Sequence, residues 1–248
     1  VTMFLSRLRL NPISRAVRAD LADCQSLHRT IMSAFGQAVS EDGGARATFS
    51  TLHRVDTDPR TGAVTVYVQS EGRPDWTHLP RGYLLSGGGP GENPACKTIA
   101  DALGRLEAGD RLRFRLRANP TRKIDTKSGP DGLRRNGRRV ELRTEEDQLA
   151  WLSRKAAAGG FEVLAVRVDT RVLDVVATDQ GAGGRAVGAK WAGTGGSPRE
   201  LRLTFTPVLF DGHLRVTDPD LFRRTMAAGI GPGKAYGFGL LSLAPGGR

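Results

Sequence analysis

The chain has 248 residues of which 39% are hydrophobic, enough for one large or two small domains with real cores, and two are expected. Its formal net charge is +11 with a pI near 10.5, a balance that attracts polyanions whatever the fold. Cys24 and Cys96 are too few and too far apart for a disulfide framework or a zinc site, no apolar run approaches the roughly 18 residues of a membrane span, and no signal-peptide pattern opens the chain, so a cytoplasmic protein is expected.

The excess charge has an address. Of 31 Arg and 6 Lys, ten Arg and two Lys fall between Arg111 and Arg143 against three acids (Asp125, Asp131, Glu141), a local net of +9. Arginine supplies planar, bidentate donors suited to phosphate.

In chain order, Phe4 to Leu10 alternates apolar and polar residues and predicts a first strand, stopped by Asn11-Pro12. Arg15 and Arg18 follow in a basic, turn-like segment. From Leu21 the period changes, with Leu21, Cys24, Leu27, Ile31, Ala34 or Phe35 and Ala38 predicting an amphipathic helix that starts near Asp20 or Asp23. His28 falls at the margin of its apolar stripe, a position that can be half-exposed. Strands are predicted at Thr48 to Val55 and Ala63 to Ser70, joined by a turn around Asp58 to Gly62. A short segment at Asp75 to Leu79 and a strand near Gly82 to Leu85 complete a β-α-β-β-α-β order, the ferredoxin-like pattern. Gly87 to Pro94 reads as linker, with a helix at Ala95 to Leu106 inside the connection.

The second half repeats the order. Arg111 to Arg117 (RLRFRLR) is a strand that buries Leu112, Phe114 and Leu116 and presents four arginines on its other face. Asn119-Pro120 breaks it, and a basic excursion runs from Thr121 to Arg143 with an Asn136-Gly137 hairpin turn. Thr144 caps a helix that opens on Glu145-Glu146-Asp147, carries Arg154-Lys155 at its end and stops at Gly159-Gly160, charges that complement the macrodipole. Strands at Phe161 to Val168 and Leu201 to Phe210 flank a glycine-rich stretch, Gly181 to Ser197, expected to be mobile. Asp218-Pro219 opens a helix through Ala228. The reading is therefore α+β, two tandem ferredoxin-like domains with antiparallel sheets, at residues 3–90 and 110–248 with 91–109 as linker.

Gly229 to Pro245 closes the chain as GIGPGKAYGFGLLSLAP, a glycine-rich loop with Lys234 followed by an apolar strand. Such a loop suits phosphate, since glycine lets backbone approach a ligand and successive amides form an anion-binding concavity. It is no Walker loop, because Ala235 stands where Ser or Thr would hold magnesium and Ala228 where the first glycine would fall. It is no dinucleotide fingerprint either, because it precedes a strand and does not open a helix.

Taken together, Met3-Phe4-Leu5-Ser6-Arg7, Leu27-His28-Arg29, FRLRANP at Phe114 to Pro120, Ala150-Trp151-Leu152 and the terminal glycine loop resemble the CasE-type CRISPR precursor-RNA endoribonucleases of the type I-E Cascade system, a RAMP family, over nearly the entire chain. The resemblance implies two ferredoxin-like domains and binding to the stem-loop of the CRISPR repeat. It also implies cleavage at the 3′ base of the stem without metal or other cofactor, retention of the product and entry into Cascade; a monomer is expected when free.

RNA can be cut by its own 2′-OH attacking the adjacent phosphorus, which leaves a 2′,3′-cyclic phosphate and a 5′-OH. That route gains from an acid, a base and positive charge. Of His28, His53, His78 and His213, only His28 stands where the family motif places its catalytic histidine. One helical turn earlier, where members often carry Tyr, this chain has Gln25, which can donate a hydrogen bond but not act as a general acid. The resemblance sets the basic hairpin Thr121 to Arg143 against the stem. Arg117, Asn119, Arg122, Lys123, Arg134, Arg135, Arg138, Arg139 and Arg143, with Gly231, Gly233 and Lys234 of the loop, are the expected RNA contacts, and Arg15 and Arg18 further ones. The alternatives are a noncatalytic RNA-binding subunit of a ribonucleoprotein, kept open by Gln25, and a nucleotide-dependent enzyme using the glycine loop.

Overall fold

The first sheet is built as the alternation demands. In β1 (Phe4–Leu10) Ser6, Leu8 and Leu10 turn inward, and β3 (Val64–Ser70) meets it antiparallel with Leu8 opposite Val66 and Leu10 opposite Val64. β2 (Leu52–Thr57) lies outside β3, and β4 (Ala95–Thr98) pairs with the other edge of β1, giving the order β2-β3-β1-β4. This computed structural model describes residues 2–36, 50–86, 91–124, 138–170, 186–192 and 199–246; for 138, 186–192 and 199–204 it describes the backbone alone.

Two helices cover that sheet where one was expected. α1 (Arg15–Ala22) occupies the segment read as a basic turn, with Val17 buried, while α2 (Cys24–Met32) buries Leu27 and Ile31. Asp23 divides them. Its backbone is extended (φ −134°, ψ 110°), and its side chain accepts a hydrogen bond from the Gln25 amide, so it ends one helix and caps the next. A 3-10 turn, Ser33–Phe35, follows α2.

No second helix forms between β3 and β4 among the described residues. Asp75 to Leu79, read as a short helical segment, is flanked by Pro74 and Pro80 and is too short to meet the cost of helix nucleation. Trp76 and Tyr83 instead plug the core from this loop. The Trp76 Nε1–H donates to Ser6 Oγ at 3.2 Å, and the Tyr83 hydroxyl donates to Asp20 Oδ2 at 2.7 Å, where Ser26 Oγ also donates to Oδ1. The strand expected near Gly82 to Leu85 reduces to one bridge, Leu84 to Leu10. The fourth strand comes from residues 95–98, inside the stretch read as linker and helix. Its residues gain more by pairing with the open edge of β1 than by continuing the helix, which is left as α3 (Ala100–Gly104).

The second sheet repeats the first. β5 (Arg111–Ala118), β8 (Phe161–Asp169), β11 (Val208–Val216) and β12 (Leu241–Pro245) pair antiparallel in the order β12-β5-β11-β8, under α4 (Glu145–Ala157) and α5 (Pro219–Ala228). Each sheet thus places its first strand between its third and fourth, the ferredoxin-like arrangement. The caps are as expected: Thr144 Oγ1 accepts from the Asp147 amide, and Asp218 Oδ1 from the Leu221 amide ahead of Pro219. Trp151, Leu152, Phe222 and Met226 fill the core against Phe114, Leu116 and Phe210. β6 (Thr121–Ile124) and β7 (Arg138–Glu141) form the base of the expected basic hairpin. A further hairpin, β9 (Ala186–Ala192) with β10 (Arg199–Phe205), occupies part of the glycine-rich stretch expected to be mobile, and the strand read as Leu201 to Phe210 is in fact parts of β10 and β11. Residues 181–185 and 193–197, like the tip of the basic hairpin, lie outside the described residues.

The two sheets meet through β2. Arg54, 3% exposed, pairs with Asp56 at 2.7 Å and reaches across to Ser242 Oγ of β12 at 2.7 Å, while Arg115 of β5 binds Asp211 at 2.7 Å and Asp56 at 3.4 Å. Gln69 Nε2 donates to the carbonyl of Met226 at the end of α5 at 2.8 Å. His53, 2% exposed, is enclosed beside this junction. Its burial, with the positive charges of His28 and Arg117 nearby, lowers its pKa from 6.5 to about 3.

Two outcomes are expected. Trp76→Ala should destabilise the protein by roughly 3–5 kcal/mol, the cost of an emptied core site, whereas a loop merely draped over the sheet would lose under about 1 kcal/mol; urea denaturation distinguishes them. Between pH 6.5 and about 3 the unfolded chain binds a proton at His53 that the folded protein refuses, so this contribution to stability is present above pH 6.5 and lost as pH falls. His53→Gln should make the acid limb of stability against pH shallower by about 1.4 kcal/mol per pH unit, and an unaltered slope would contradict the assignment.

Candidate functional site

His28 emerges half-buried from α2, one residue after buried Leu27 and three before buried Ile31, at the margin of the apolar stripe as read from the sequence. What it faces comes from the other end of the chain. The 3-10 helix Lys234–Tyr236 lies against both α2 and β2 and sets the Tyr236 ring edge-on to His28, with centroids 6.3 Å apart and planes at 63°. Phe205 packs against Tyr236 at 5.2 Å and against Phe238 at 5.3 Å. Burial, with Cys24 and Asp23 close by, raises the Tyr236 pKa above the ordinary phenol value, so its hydroxyl stays protonated.

Beneath this pair, His53 and Arg117 form a floor. Arg117, 4% exposed, lies over the Phe238 ring at 4.9 Å. Gly237 closes over both: a Cβ there would stand 3.3 Å from Arg117 Nη1 and 3.4 Å from His53 Nε2, and its backbone is left-handed at φ 85°. All five loop glycines take positive φ, but what they approach is the protein itself. At Gly239, φ 87°, a Cβ would be 2.8 Å from the Ile230 carbonyl oxygen, and at Gly231 it would be 2.9 Å from Trp151. The expected reason for these glycines, close approach to a ligand, therefore gives way to close packing of the loop on α4, β2 and its own return.

On the other side of the short helix, Lys234 enters a cleft of about 620 Å³ between the β6–β7 hairpin, α4, α5 and the glycine loop. Arg122, Arg139, Arg154, Lys155 and Arg224 also line it, and no acid does among the described residues. Ala235 alone separates the cation in the cleft from the tyrosine at His28, so one short helix joins the two.

The sequence-predicted residues divide accordingly. Arg122, Arg139 and Lys234 meet in the cleft, with Gly231 on its wall. Lys123 and Arg143 are exposed close to them in sequence, and Arg15 and Arg18 are exposed on α1. Arg117 and Asn119 were expected to contact RNA, but they are 4% and 7% exposed, so Arg117 acts within the floor and Asn119 sits buried at the end of β5. Of the four arginines expected on the open face of β5, Arg111 and Arg113 are exposed and Arg115 is spent on the junction. Gln25 is half-buried in the first turn of α2; the side chain of Arg138, and all of Arg134 and Arg135, lie outside the described residues. Sequence reasoning missed Tyr236, His53 and Arg224, and it read Arg154 and Lys155 only as partners of the helix dipole. Their placement depends on contacts distant in sequence; the one local signal was Tyr236's position two residues after Lys234 inside the loop already singled out.

Residues 3–245 match the family described as CRISPR associated protein. The chain is 36% identical over 243 residues to the CRISPR-associated endoribonuclease Cse3 of Thermus thermophilus, covering 98% of this chain and 100% of that protein. It is 34% identical over 143 residues to the CRISPR system Cascade subunit CasE of Escherichia coli, 57% of this chain and 61% of that protein. Its fold matches Thermus thermophilus Cse3 bound to an RNA representing a pre-cleavage complex, with a TM-score of 0.70 and 32% identity over 99% of this chain and 100% of that one. With the family match over residues 3–245, the identity to Cse3 over 98% of the chain and the shared fold, the chain belongs to the Cse3/CasE family of CRISPR-associated endoribonucleases.

Proposed function

We propose that this protein binds the stem-loop of the CRISPR repeat in precursor RNA and cuts it at the 3′ base of the stem without a metal ion. The observation that carries the reading is the three-residue helix Lys234–Tyr236, which sets Tyr236 against His28 at one end and contributes Lys234 to a cleft of six cations at the other. A-form RNA hides its base edges in a deep, narrow major groove, so a stem is gripped by its phosphates and its end. The cleft supplies the cations for that grip, and the hairpin β6–β7 extends it through Arg122, Lys123 and Arg139.

At the stem base the 2′-oxygen forms a bond to phosphorus as the bond to the 5′-oxygen breaks. The 2′-OH proton leaves to a base and the 5′-oxygen gains one, giving a 2′,3′-cyclic phosphate and a 5′-OH. His28 is the group placed to carry one of these protons, since imidazole exchanges protons near neutral pH. The enzyme then keeps its product and enters the Cascade assembly; the relative named as a Cascade subunit supports that entry.

Single-turnover cleavage of a repeat stem-loop in EDTA tests the mechanism. His28→Ala should lower the rate by roughly 10²–10⁴-fold with RNA affinity kept, and the wild-type product should carry a cyclic phosphate. Tight binding with no cut by either protein would make the chain a noncatalytic RNA-binding subunit. Replacing Arg122, Arg139, Arg154 and Lys155 by Gln should weaken binding and flatten the dependence of log affinity on log salt by about 0.7–0.9 for each phosphate no longer neutralised; an unchanged slope would remove the cleft from the binding surface.

A further inference from the structure

Tyr236 stands against His28, and the cleavage reading gives it no task. It is held there from three sides. The left-handed residues Gly233 and Gly237 bracket its turn, the Tyr236 amide donates to the Gly233 carbonyl at 2.8 Å, and Phe205 backs the ring at 5.2 Å. Cys24 and His28 are four residues apart and so share one face of α2. The ring meets that face at His28, and its hydroxyl interacts electrostatically with Cys24 and Asp23 in the first turn. Tyr236 is only half-buried, and the short helix that carries it begins with Lys234 in the basic cleft.

We propose that Tyr236 is the second functional side chain of the site: its ring fixes the imidazole of His28, and its hydroxyl donates a hydrogen bond to a non-bridging oxygen of the scissile phosphate. The inference rests on the cleavage reading above. A phenol whose proton is held more tightly than usual suits this task better than proton transfer, because it remains a donor throughout the working pH range and relinquishes nothing. A fixed donor aimed at charge that grows on phosphate oxygens in the transition state accelerates the step without moving.

The test compares wild type, Tyr236→Phe and His28→Ala in single-turnover cleavage of the stem-loop of the host's own CRISPR repeat, made with oxygen or with each phosphorothioate diastereomer at the scissile position. Tyr236→Phe keeps the ring and its packing, so thermal unfolding and RNA affinity should match wild type within about twofold. Its rate should fall on the order of 100-fold. The wild type should discriminate between the diastereomers, and the variant should lose most of that discrimination, which a purely packing role would leave intact. Wild-type rate in Tyr236→Phe, or a slowed variant with undiminished discrimination, overturns the assignment. If the wild type cuts and His28→Ala does not, that failure belongs to Tyr236 alone; if the wild type does not cut, the cleavage reading fails and this inference with it.

Discussion

The structure depends on the ionic junction between its two sheets. Arg54 is almost fully buried, and a guanidinium out of water is tolerated only when its donors are occupied. Here Asp56 takes two of them and Ser242 a third, while Arg115 is shared between Asp56 and Asp211. Directional bonds of this kind fix an orientation where apolar packing alone would allow sliding. That orientation matters because the site is assembled from both halves: α2 brings His28, β2 brings His53, β5 brings Arg117, and the return from α5 to β12 brings Lys234 and Tyr236.

The glycine loop turns the junction into a site. Gly229 lies so close to Leu52 of β2 that a Cβ would stand 2.7 Å from its Cδ2, and Gly237 lies over His53 and Arg117. The loop is therefore clamped against the first sheet while its ends belong to the second. Its short central helix has one residue in the cleft and one on the imidazole, so the cleft and the His28–Tyr236 pair share a single support. The buried, neutral His53 beneath adds no charge to this support, while the Arg117 guanidinium beside it is tied to the Phe238 face.

Much of this architecture was legible because it is local. The alternation of β1 and β5, the Thr144 and Asp218 caps and the apolar stripe of α2 each follow from neighbouring residues, and His28 followed from a motif on that stripe. What could not be read depends on a distant partner. Residues 95–98 carry no strong strand pattern and become β4 because the edge of β1 is open to them; Trp76 and Tyr83 replace a helix because Pro74 and Pro80 leave no room for one. Arg117 alternates like the other arginines of β5, but it is buried with its guanidinium over Phe238, over a hundred residues later. Arg154 and Lys155 complement their helix dipole in any fold, and they come to line a basic cleft only when the glycine loop faces them.

The order of the chain also governs when the two sheets and the loop between them are completed. His28 lies near the start of the sequence and Tyr236 near its end, more than 200 residues later, and β12 pairs with β5, so the second sheet stays incomplete until its last strand is made. During synthesis the first sheet and α2 leave the ribosome long before the loop that completes the cleft. A nascent chain thus carries His28 without the loop that sets Tyr236 against it. A polypeptide released early, lacking residues 229–245, would have neither β12 nor the turn that carries Lys234 and Tyr236.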